Sequence, residues 1–549
     1  MTAAATEPKP LVDLVNVQID GQWMQFPKGM RLIEAIKEAG KFVPHYCYHP
    51  KLSSPGNCRM CLIEAGMPKM GPDRKPIMGA DGKPEIGWMP RPMISCANTV
   101  AEGMGVRTDS QLVKDCQNGV MELLLINHPL DCPICDQAGE CKLQEYSIEY
   151  GTGQSRFVEN KVKKPKEVEL GPRVTLDDER CILCSRCVRF CQEVVKDDVL
   201  GFVNRGSYNT LTCHPDKKLD NNYSLNTVDI CPVGALTSTD FRFKMRVWFL
   251  KETKSICTSC STGCNTVVSS RENVIYRQVP RENNDVNSSW MCDSGRLNYK
   301  FTAENRASGV IMKKHTGRRA PEFQDAITAL AADLKQFAPG EVAILASGRM
   351  TCEELYLTRK LADDLKATHT DIFPRNQKED GILMSADRNP NTAGARLTGV
   401  VAGEPGAAIA RMAAGINDGS IKALLVLGED ALDCGFAEET LARLPLLVTV
   451  ASRKLRTDVI AHYAFSSLTW AEKRGTMING KGRIQKINKA IEPLVEAVDD
   501  WEIIQGIRVG LGAKAYYDQA SLFAEMTAEH QPLQGLTYGK IGDLGVQIL

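Results

Sequence analysis

Two runs of sequence decide how this chain is read. One is Cys181-Ile-Leu-Cys184-Ser-Arg-Cys187-Val-Arg-Phe-Cys191, and the other is Asn221-Asn-Tyr-Ser224-Leu-Asn-Thr227-Val-Asp-Ile-Cys231-Pro232. The first has the spacing C-x2-C-x2-C-x3-C, with which short loops wrap four-iron cubanes. Three thiolates of such a run hold one cluster, and a fourth, placed before a proline in the partner run, closes it. Laying the same spacing backwards from Cys231-Pro232 puts the partner thiolates at Asn221, Ser224 and Thr227, none of which ligates iron as a thiolate does. The expectation is one [4Fe–4S] cluster on Cys181, Cys184, Cys187 and Cys231. Cys191 is then left over, without iron.

Outward from this stretch, composition narrows the field. The chain has 549 residues, enough for several domains. Lys+Arg and Asp+Glu both number 67, so no net charge argues for nucleic acid as a partner. Twenty cysteines fall largely in four local groups at metal-type spacings, which fits a reducing compartment and soft-donor sites better than disulfides. The start Met1-Thr-Ala-Ala-Ala-Thr-Glu-Pro has neither the basic opening nor the apolar core of a signal peptide. No apolar run approaches the ~20 residues of a membrane span. The expectation is a chain with no transmembrane segment, soluble by itself and able to dock on a membrane assembly.

Residues 11–43 alternate as a strand (Val15, Val17, Ile19), turn at Asp20-Gly21, resume at Trp23–Phe26 and pass into a helix carrying Leu32, Ile33, Ile36 and Ala39. A hairpin and helix followed by a cysteine loop suit a small β-grasp ferredoxin domain. The loop supplies Cys47, Cys58 and Cys61 for a [2Fe–2S] cluster, and Cys96 closes it across a Pro/Gly-rich insert read as an exposed loop. A zinc site is the alternative. Asp109–Asn127 reads as an amphipathic helix with Leu112, Val113, Cys116, Val120, Leu123 and Leu124 on one face and Cys116 buried. It leads into His128 and the C-x2-C-x5-C of Cys132, Cys135 and Cys141. A lone His at a helix end usually ligates nothing, but three thiolates leave a cubane one ligand short and an imidazole can supply it.

Residues 156–170 read as a solvated linker. Arg180, Arg186 and Arg189 flank the opening cluster as tuning cations or as surface charges. Cys213 reads as structural, and Met245–Leu250 as a strand. A fourth group, Cys257, Cys260, Cys264 and the distant Cys292, again satisfies a cubane, with a four-cysteine zinc site as the competitor. Beyond about Phe323 cysteines become scarce and an α/β alternation begins. It comprises a helix through Ile327, Leu330, Leu334 and Phe337, a strand at Glu341–Ser347, a helix at Glu353–Lys366, and strands at Ile421–Gly428 and Pro445–Ala451. Ser347-Gly348 lacks an accompanying phosphate-binding fingerprint and reads as a turn.

The groups Val43-Pro-His-Tyr-Cys47, Gly56-Asn-Cys58-Arg-Met-Cys61, His128-Pro-Leu-Asp-Cys132-Pro-Ile-Cys135 through Cys141, Arg180-Cys181 through Phe190, and Cys231-Pro-Val-Gly-Ala-Leu occur in an order that resembles the large iron–sulfur subunit of NADH:quinone oxidoreductase, respiratory complex I. The resemblance implies His128 as a fourth ligand. It also implies that Cys257, Cys260, Cys264 and Cys292 hold the extra centre of some bacterial members. Residues 306–549 resemble, more loosely, a molybdopterin-oxidoreductase fold. There Glu472-Lys-Arg-Gly475-Thr476, Asn479, Gly482-Arg483 and Gln485 match the family stretch, the half is short, and neither Cys352 nor Cys434 matches a molybdenum ligand.

The resulting expectation is an α+β and α/β multidomain chain. A [2Fe–2S] β-grasp domain spans 1–100, a His-ligated [4Fe–4S] segment 101–170 and a ferredoxin-like [4Fe–4S] domain 171–250. A molybdopterin-oxidoreductase-type [4Fe–4S] domain follows at 251–310, and a truncated Rossmann-like α/β domain without pterin at 311–549. The implied function is an electron-transfer subunit with one [2Fe–2S] and three [4Fe–4S] clusters and no catalytic residue of its own. It would be fed by a flavin/NADH-binding subunit, held among other hydrophilic-arm subunits, in contact with the membrane arm only indirectly, and peripheral on the cytoplasmic side of a bacterial inner membrane. Alternatives are the relay subunit of a soluble NAD-linked hydrogenase or formate dehydrogenase, a molybdopterin enzyme in its own right, and a cluster-free scaffold.

Overall fold

The computed structural model describes residues 13–313 and 321–549. The N-terminal leader reading (Met1 to Pro8) and the first two residues of the stretch 11–43 lie outside them. The chain divides into two compact units, Met1–Trp248 and Phe249–Leu549.

In the first unit, Leu14–Ile19 pairs antiparallel with Gln22–Pro27 around Asp20-Gly21. Both turn residues have positive φ, 47° and 84°, the primed geometry that matches strand twist. Leu14–Ile19 also runs parallel to Gly105–Arg107, which pairs with Leu62–Pro68 and so joins the insert to the sheet. Helix Leu32–Glu38 buries Leu32, Ile33 and Ile36 against Val17, Ile19, Ile63 and Val106. This is the expected β-grasp. The Pro/Gly-rich insert is more ordered than an open loop: Ile86–Trp88 and Met93–Ile94 pair with Leu62–Pro68, and the bridges Met70–Pro76 and Met78–Pro84 rung the excursion between them.

Helix Gln111–Leu125 is capped by the Ser110 hydroxyl. Its buried line is Val113, Gln117 and Met121, one residue per turn. The face read from sequence was too broad: Leu123 is 70% exposed and Cys116 only half-buried. Of the stretch 156–170 read as a linker, 156–167 is irregular but a strap rather than a free linker, and 168–170 belong to strand Val168–Gly171. Lys161 Nζ donates to the Leu125 and Ile126 carbonyls, both at 2.8 Å, meeting orphan acceptors at a helix C-terminus, and Lys166 pairs with Asp131 and Glu179. The segment read as a strand at Met245–Leu250 is instead a short 3-10 turn, Val247–Phe249. Arg246 pins it by donating to the Cys135 and Pro133 carbonyls.

The second unit opens with the meander Lys251–Ile256, Asn265–Arg271, Val274–Pro280. It then builds a six-stranded sheet in the order Val310–Met312, Tyr463–Ser466, Leu446–Ala451, Ala423–Leu427, Val342–Ala346, His369–Ile372. All neighbours are parallel except the antiparallel edge strand Val310–Met312. Strands buried on both faces explain the continuous apolar runs. Phe323–Leu334, Cys352–Asp364 (with a Thr351/Glu354 capping box) and Asp500–Leu511 pack around it. A small sheet of Gly475–Ile478, Arg483–Ile487 and Val546–Gln547 was not anticipated, because its last strand is two residues long.

Candidate metal centres

The loop after Leu32–Glu38 brings Cys47 and Cys58 together, and Cys96 within hydrogen-bond reach of both Cys47 and Cys61. Three of these four are buried. The Cys47 thiol and burial push Cys58 well above the usual thiol range, whereas the Cys96 thiol holds Cys61 below it.

His128, Cys132, Cys135 and Cys141 all line one cavity of about 50 Å³. Burial, then Arg180 and Lys161, hold the His128 imidazole down to about 4, so at neutral pH it is uncharged and has a ring nitrogen lone pair to give. Gly234 shows how tight the wall is, since a Cβ there would sit 2.3 Å from Cys135 Sγ.

Cys181, Cys184, Cys187 and Cys231 line a second small cavity with Phe202, Leu211, Val233 and Leu236. Burial pushes Cys184 up to about 12 and raises Cys181, Cys187 and Cys231 as well. Four buried thiols that resist ionising together need a cation among them before they become thiolates. The donor sets therefore suit soft metal centres. Cys191 is buried but does not line the cavity. It begins the π turn Cys191–Val195, where burial and then Asp197 push its thiol up to about 12. At the positions of the lost partner motif, Asn221 donates to Asp197 (3.0 Å), and Thr227 Oγ1 donates to the Ser224 carbonyl (2.7 Å). Cys213 Sγ lies 3.3 Å from the Leu170 carbonyl, a structural contact.

The three arginines divide differently from the sequence reading. Arg180 lines the His128 cavity and pairs with Asp131 (3.3 Å) and Asp177 (3.2 Å). Arg186 donates to the Tyr48 and Ile230 carbonyls. Arg189 donates to the carbonyls of Cys47 (2.5 Å), Ser53 and Cys184. Neither of the last two is a surface charge: they tie one cysteine loop to the next. The His128 group touches the Cys231 group too, through the Cys141 thiol 3.9 Å from the Pro232 carbonyl. Only the loop contacts could have revealed this, and a sequence does not print them.

In the second unit Cys257, Cys260, Cys264 and Cys292 are all buried. The Cys257 N–H donates to the Cys264 carbonyl at 2.8 Å. Cys292 caps helix Asp293–Arg296, its sulfur accepting from the Gly295 N–H (3.3 Å) and the Ser294 hydroxyl (3.5 Å). Met291 and Leu383 pack against Cys257 and Cys264 and keep the site dry. A Cβ at Gly295 would stand 3.0 Å from Cys292 Sγ and 3.1 Å from Cys257 Sγ.

Among the described residues no helix is long and apolar enough to cross a membrane. Comparison with known proteins matches successive stretches of the chain. A 2Fe-2S iron-sulfur cluster binding domain matches 13–111, and the NADH-ubiquinone oxidoreductase-G iron-sulfur binding region 117–156. The ferredoxin-like domain of NADH-quinone oxidoreductase subunit 3 matches 171–237, an NDSU1/NuoG-like 4Fe-4S domain 250–300, and the molybdopterin oxidoreductase family 368–508. NADH-quinone oxidoreductase subunit 3 of Thermus thermophilus is 37% identical over 68% of this chain and 50% of its own length. An NADH-quinone oxidoreductase homologue from Rickettsia felis is 35% identical over 67% of this chain and 51% of its own length. The mitochondrial NADH dehydrogenase iron-sulfur protein 1 of Solanum tuberosum is 38% identical over 68% and 48%. The chain spans about half the length of the curated relatives it matches. Two solved structures align loosely and support no conclusion: an NAD+-reducing [NiFe]-hydrogenase (TM-score 0.35, 26% identity, 42% of this chain and 91% of that one) and the acetylene hydratase of Pelobacter acetylenicus (TM-score 0.39, 10% identity, 53% and 73%). At 35–38% identity to these relatives over about two thirds of its length, the chain belongs to the family of the large iron–sulfur subunit of NADH:quinone oxidoreductase.

Proposed function

We propose that this chain is an electron-carrying subunit of an NADH:quinone oxidoreductase. It accepts electrons from a flavin- and NADH-binding subunit and passes them toward quinone, docked peripherally with other subunits on the cytoplasmic face of a membrane. The observation that carries the reading is the set of three cysteine-rich sites in the first unit, held to one another by Arg186, Arg189 and the Cys141–Pro232 contact. Residues 1–100, 101–170 and 171–250 each provide one of these sites, 251–310 a fourth, and 311–549 none.

The ligands are Cys47, Cys58, Cys61 and Cys96 for a [2Fe–2S] cluster. His128 with Cys132, Cys135 and Cys141 holds one [4Fe–4S] cluster, Cys181, Cys184, Cys187 and Cys231 a second, and Cys257, Cys260, Cys264 and Cys292 a third. Iron–sulfur clusters supply one-electron redox chemistry at such sites. The chain's own residues space them, exclude water and tune them. The buried Leu211, Val233 and Leu236 walls lower the local dielectric, the Gly295 N–H and Ser294 hydroxyl stabilise charge on Cys292 sulfur, and Arg180 sets a positive charge beside the His128 site.

Our reading carries no molybdopterin. The cavity at the carboxyl end of the parallel sheet is about 240 Å³, small for a pterin dinucleotide. A more open cleft of about 780 Å³ lies beside Ser261, Met384 and Asn479, and neither Cys352 nor Cys434 lines either space to ligate a metal. The test is iron and acid-labile sulfide counting with EPR during reductive titration. One [2Fe–2S] and three [4Fe–4S] clusters give about fourteen irons per chain. About ten would remove a cubane, about eighteen would give Cys191 a cluster, zinc in place of iron would refute the reading, and stoichiometric molybdenum or tungsten would restore pterin. Partners retained on purification separate a membrane oxidoreductase from a soluble dehydrogenase.

A further inference from the structure

In the second unit the chain leaves strand Val342–Ala346 for His369–Ile372 on one side, then crosses back to Ala423–Leu427 on the other. The loops beyond Val342–Ala346 and Ala423–Leu427 therefore part at the carboxyl ends of the strands, where open parallel sheets take their ligands. The cavity of about 240 Å³ lies there, between Ser347–Met350, Gly428–Asp430, Ser452–Arg453 and Ser467–Trp470.

Its wall carries four cations (Arg349, Arg375, Arg453, Lys473) and four carboxylates (Glu429, Asp430, Asp433, Asp500), but they are unevenly paired. Every carboxylate on the wall is already engaged. Glu429 takes the Arg375 guanidinium and the Ser347 hydroxyl, and Asp430 takes Thr457 and the Arg456 N–H. Asp433 takes Arg456, and Asp500 takes Lys473. Two cations are not engaged: among the described residues the side chains of Arg349 and Arg453 make no hydrogen bond or ion pair. Both line the same cavity, and burial, then Arg375, opposed by Glu429, and then Arg453 bring Arg349 down to about 10. A third donor is stranded as well. Trp470 lines the cavity at 7% exposure, and its indole N–H has no partner. A buried donor without an acceptor is costly, and neither Arg349 nor Arg453 has a hydrogen-bonded counter-ion among the described residues.

We propose that this cavity binds a small phosphate-class oxyanion, with Arg349 and Arg453 as charge-assisted forks and the Trp470 N–H as the third donor. Guanidinium geometry matches a phosphate bidentately, and the remaining volume is several times the roughly 30 Å³ share of one water, leaving room for a small organic body. The site owes nothing to the clusters, and its test is independent of the electron-transfer reading.

Equilibrium dialysis of the full chain as purified, with radiolabelled inorganic phosphate and separately with adenosine 5′-monophosphate at fixed ionic strength, should show one saturable site. Tighter uptake of the monophosphate ester assigns the site to a phosphorylated metabolite, and equal uptake to free phosphate. Arg349→Gln should weaken binding about tenfold, and Arg349→Gln with Arg453→Gln should abolish it. Arg349→Lys should recover part of it. Trp470→Phe should remove the fluorescence change that accompanies binding. An unchanged circular dichroism spectrum and cooperative melt in each variant show that it has folded. No saturable uptake of either probe at millimolar concentration, or full affinity in the double arginine variant, overturns the proposal.

Discussion

Two glycines set the tolerances of the metal sites at the scale of single residues. Gly234→Ala places a methyl group 2.3 Å from Cys135 Sγ, inside any real contact distance. The expected outcome is loss of the His128-side cubane alone, about four irons per chain, with the other EPR signals retained. Gly295→Ala, where the contacts are 3.0 and 3.1 Å, should disturb the Cys257 group in the same selective way but less completely. His128→Cys should keep its cubane and move its midpoint potential, because a thiolate adds charge that a neutral imidazole does not. An unchanged signal in a reductive titration would refute the assignment. The cysteine groups themselves were legible in the sequence from their spacing. The residues that close around them were not: nothing in the sequence around Gly234 says that its backbone lies against Cys135, ninety-nine positions earlier.

At the scale of elements, strand Gly475–Ile478 packs Met477 and Ile478 into apolar cores, and the turn before it is anchored by buried ions. Glu472 holds Arg306 through two contacts of 2.8 Å, and both side chains are buried. Lys473 sits between Glu354 and Asp500 (2.9 Å), filling with its own ammonium a cluster of acids that also includes Asp499. Removing one member of such a set leaves the other charge buried and unpaired, so Arg306→Ala should cost about 3–5 kcal/mol in denaturant unfolding. Burial pulls the Glu472 carboxyl up, but Arg306 and the Thr469 and Leu494 N–H groups hold it below its usual range. A carboxyl depressed in the folded state adds stability above its unfolded value, about 4.5, and loses it as pH falls through the folded one. Melting temperature should therefore fall on acidification below about pH 4.5, and Glu472→Gln should flatten that slope. The parallel strands here were readable from their apolar runs, and the hairpin from Asp20-Gly21. The face of helix Gln111–Leu125 was not, because hydrophobicity alone does not say which stripe a neighbouring loop will cover.

For the whole molecule, the two units differ in what holds them. The second has a broad core of Val, Ile and Leu on both faces of its six-stranded sheet. The first spreads three cysteine-rich sites over short strands and helices of four to fifteen residues. Iron chelation under reducing conditions should lower the first unit's calorimetric transition far more than the second's, since metal bound only by the folded state is folding free energy. Arg189 adds a consequence for biogenesis. Its one guanidinium completes both the Cys47 loop and the Cys184 loop, so shaping either loop around its cluster prepays part of the ordering of the other. Filling of the two sites becomes cooperative. Limiting iron and sulfide should then give molecules that carry both centres or neither, and Arg189→Met should turn that all-or-none assembly into independent, stepwise loading.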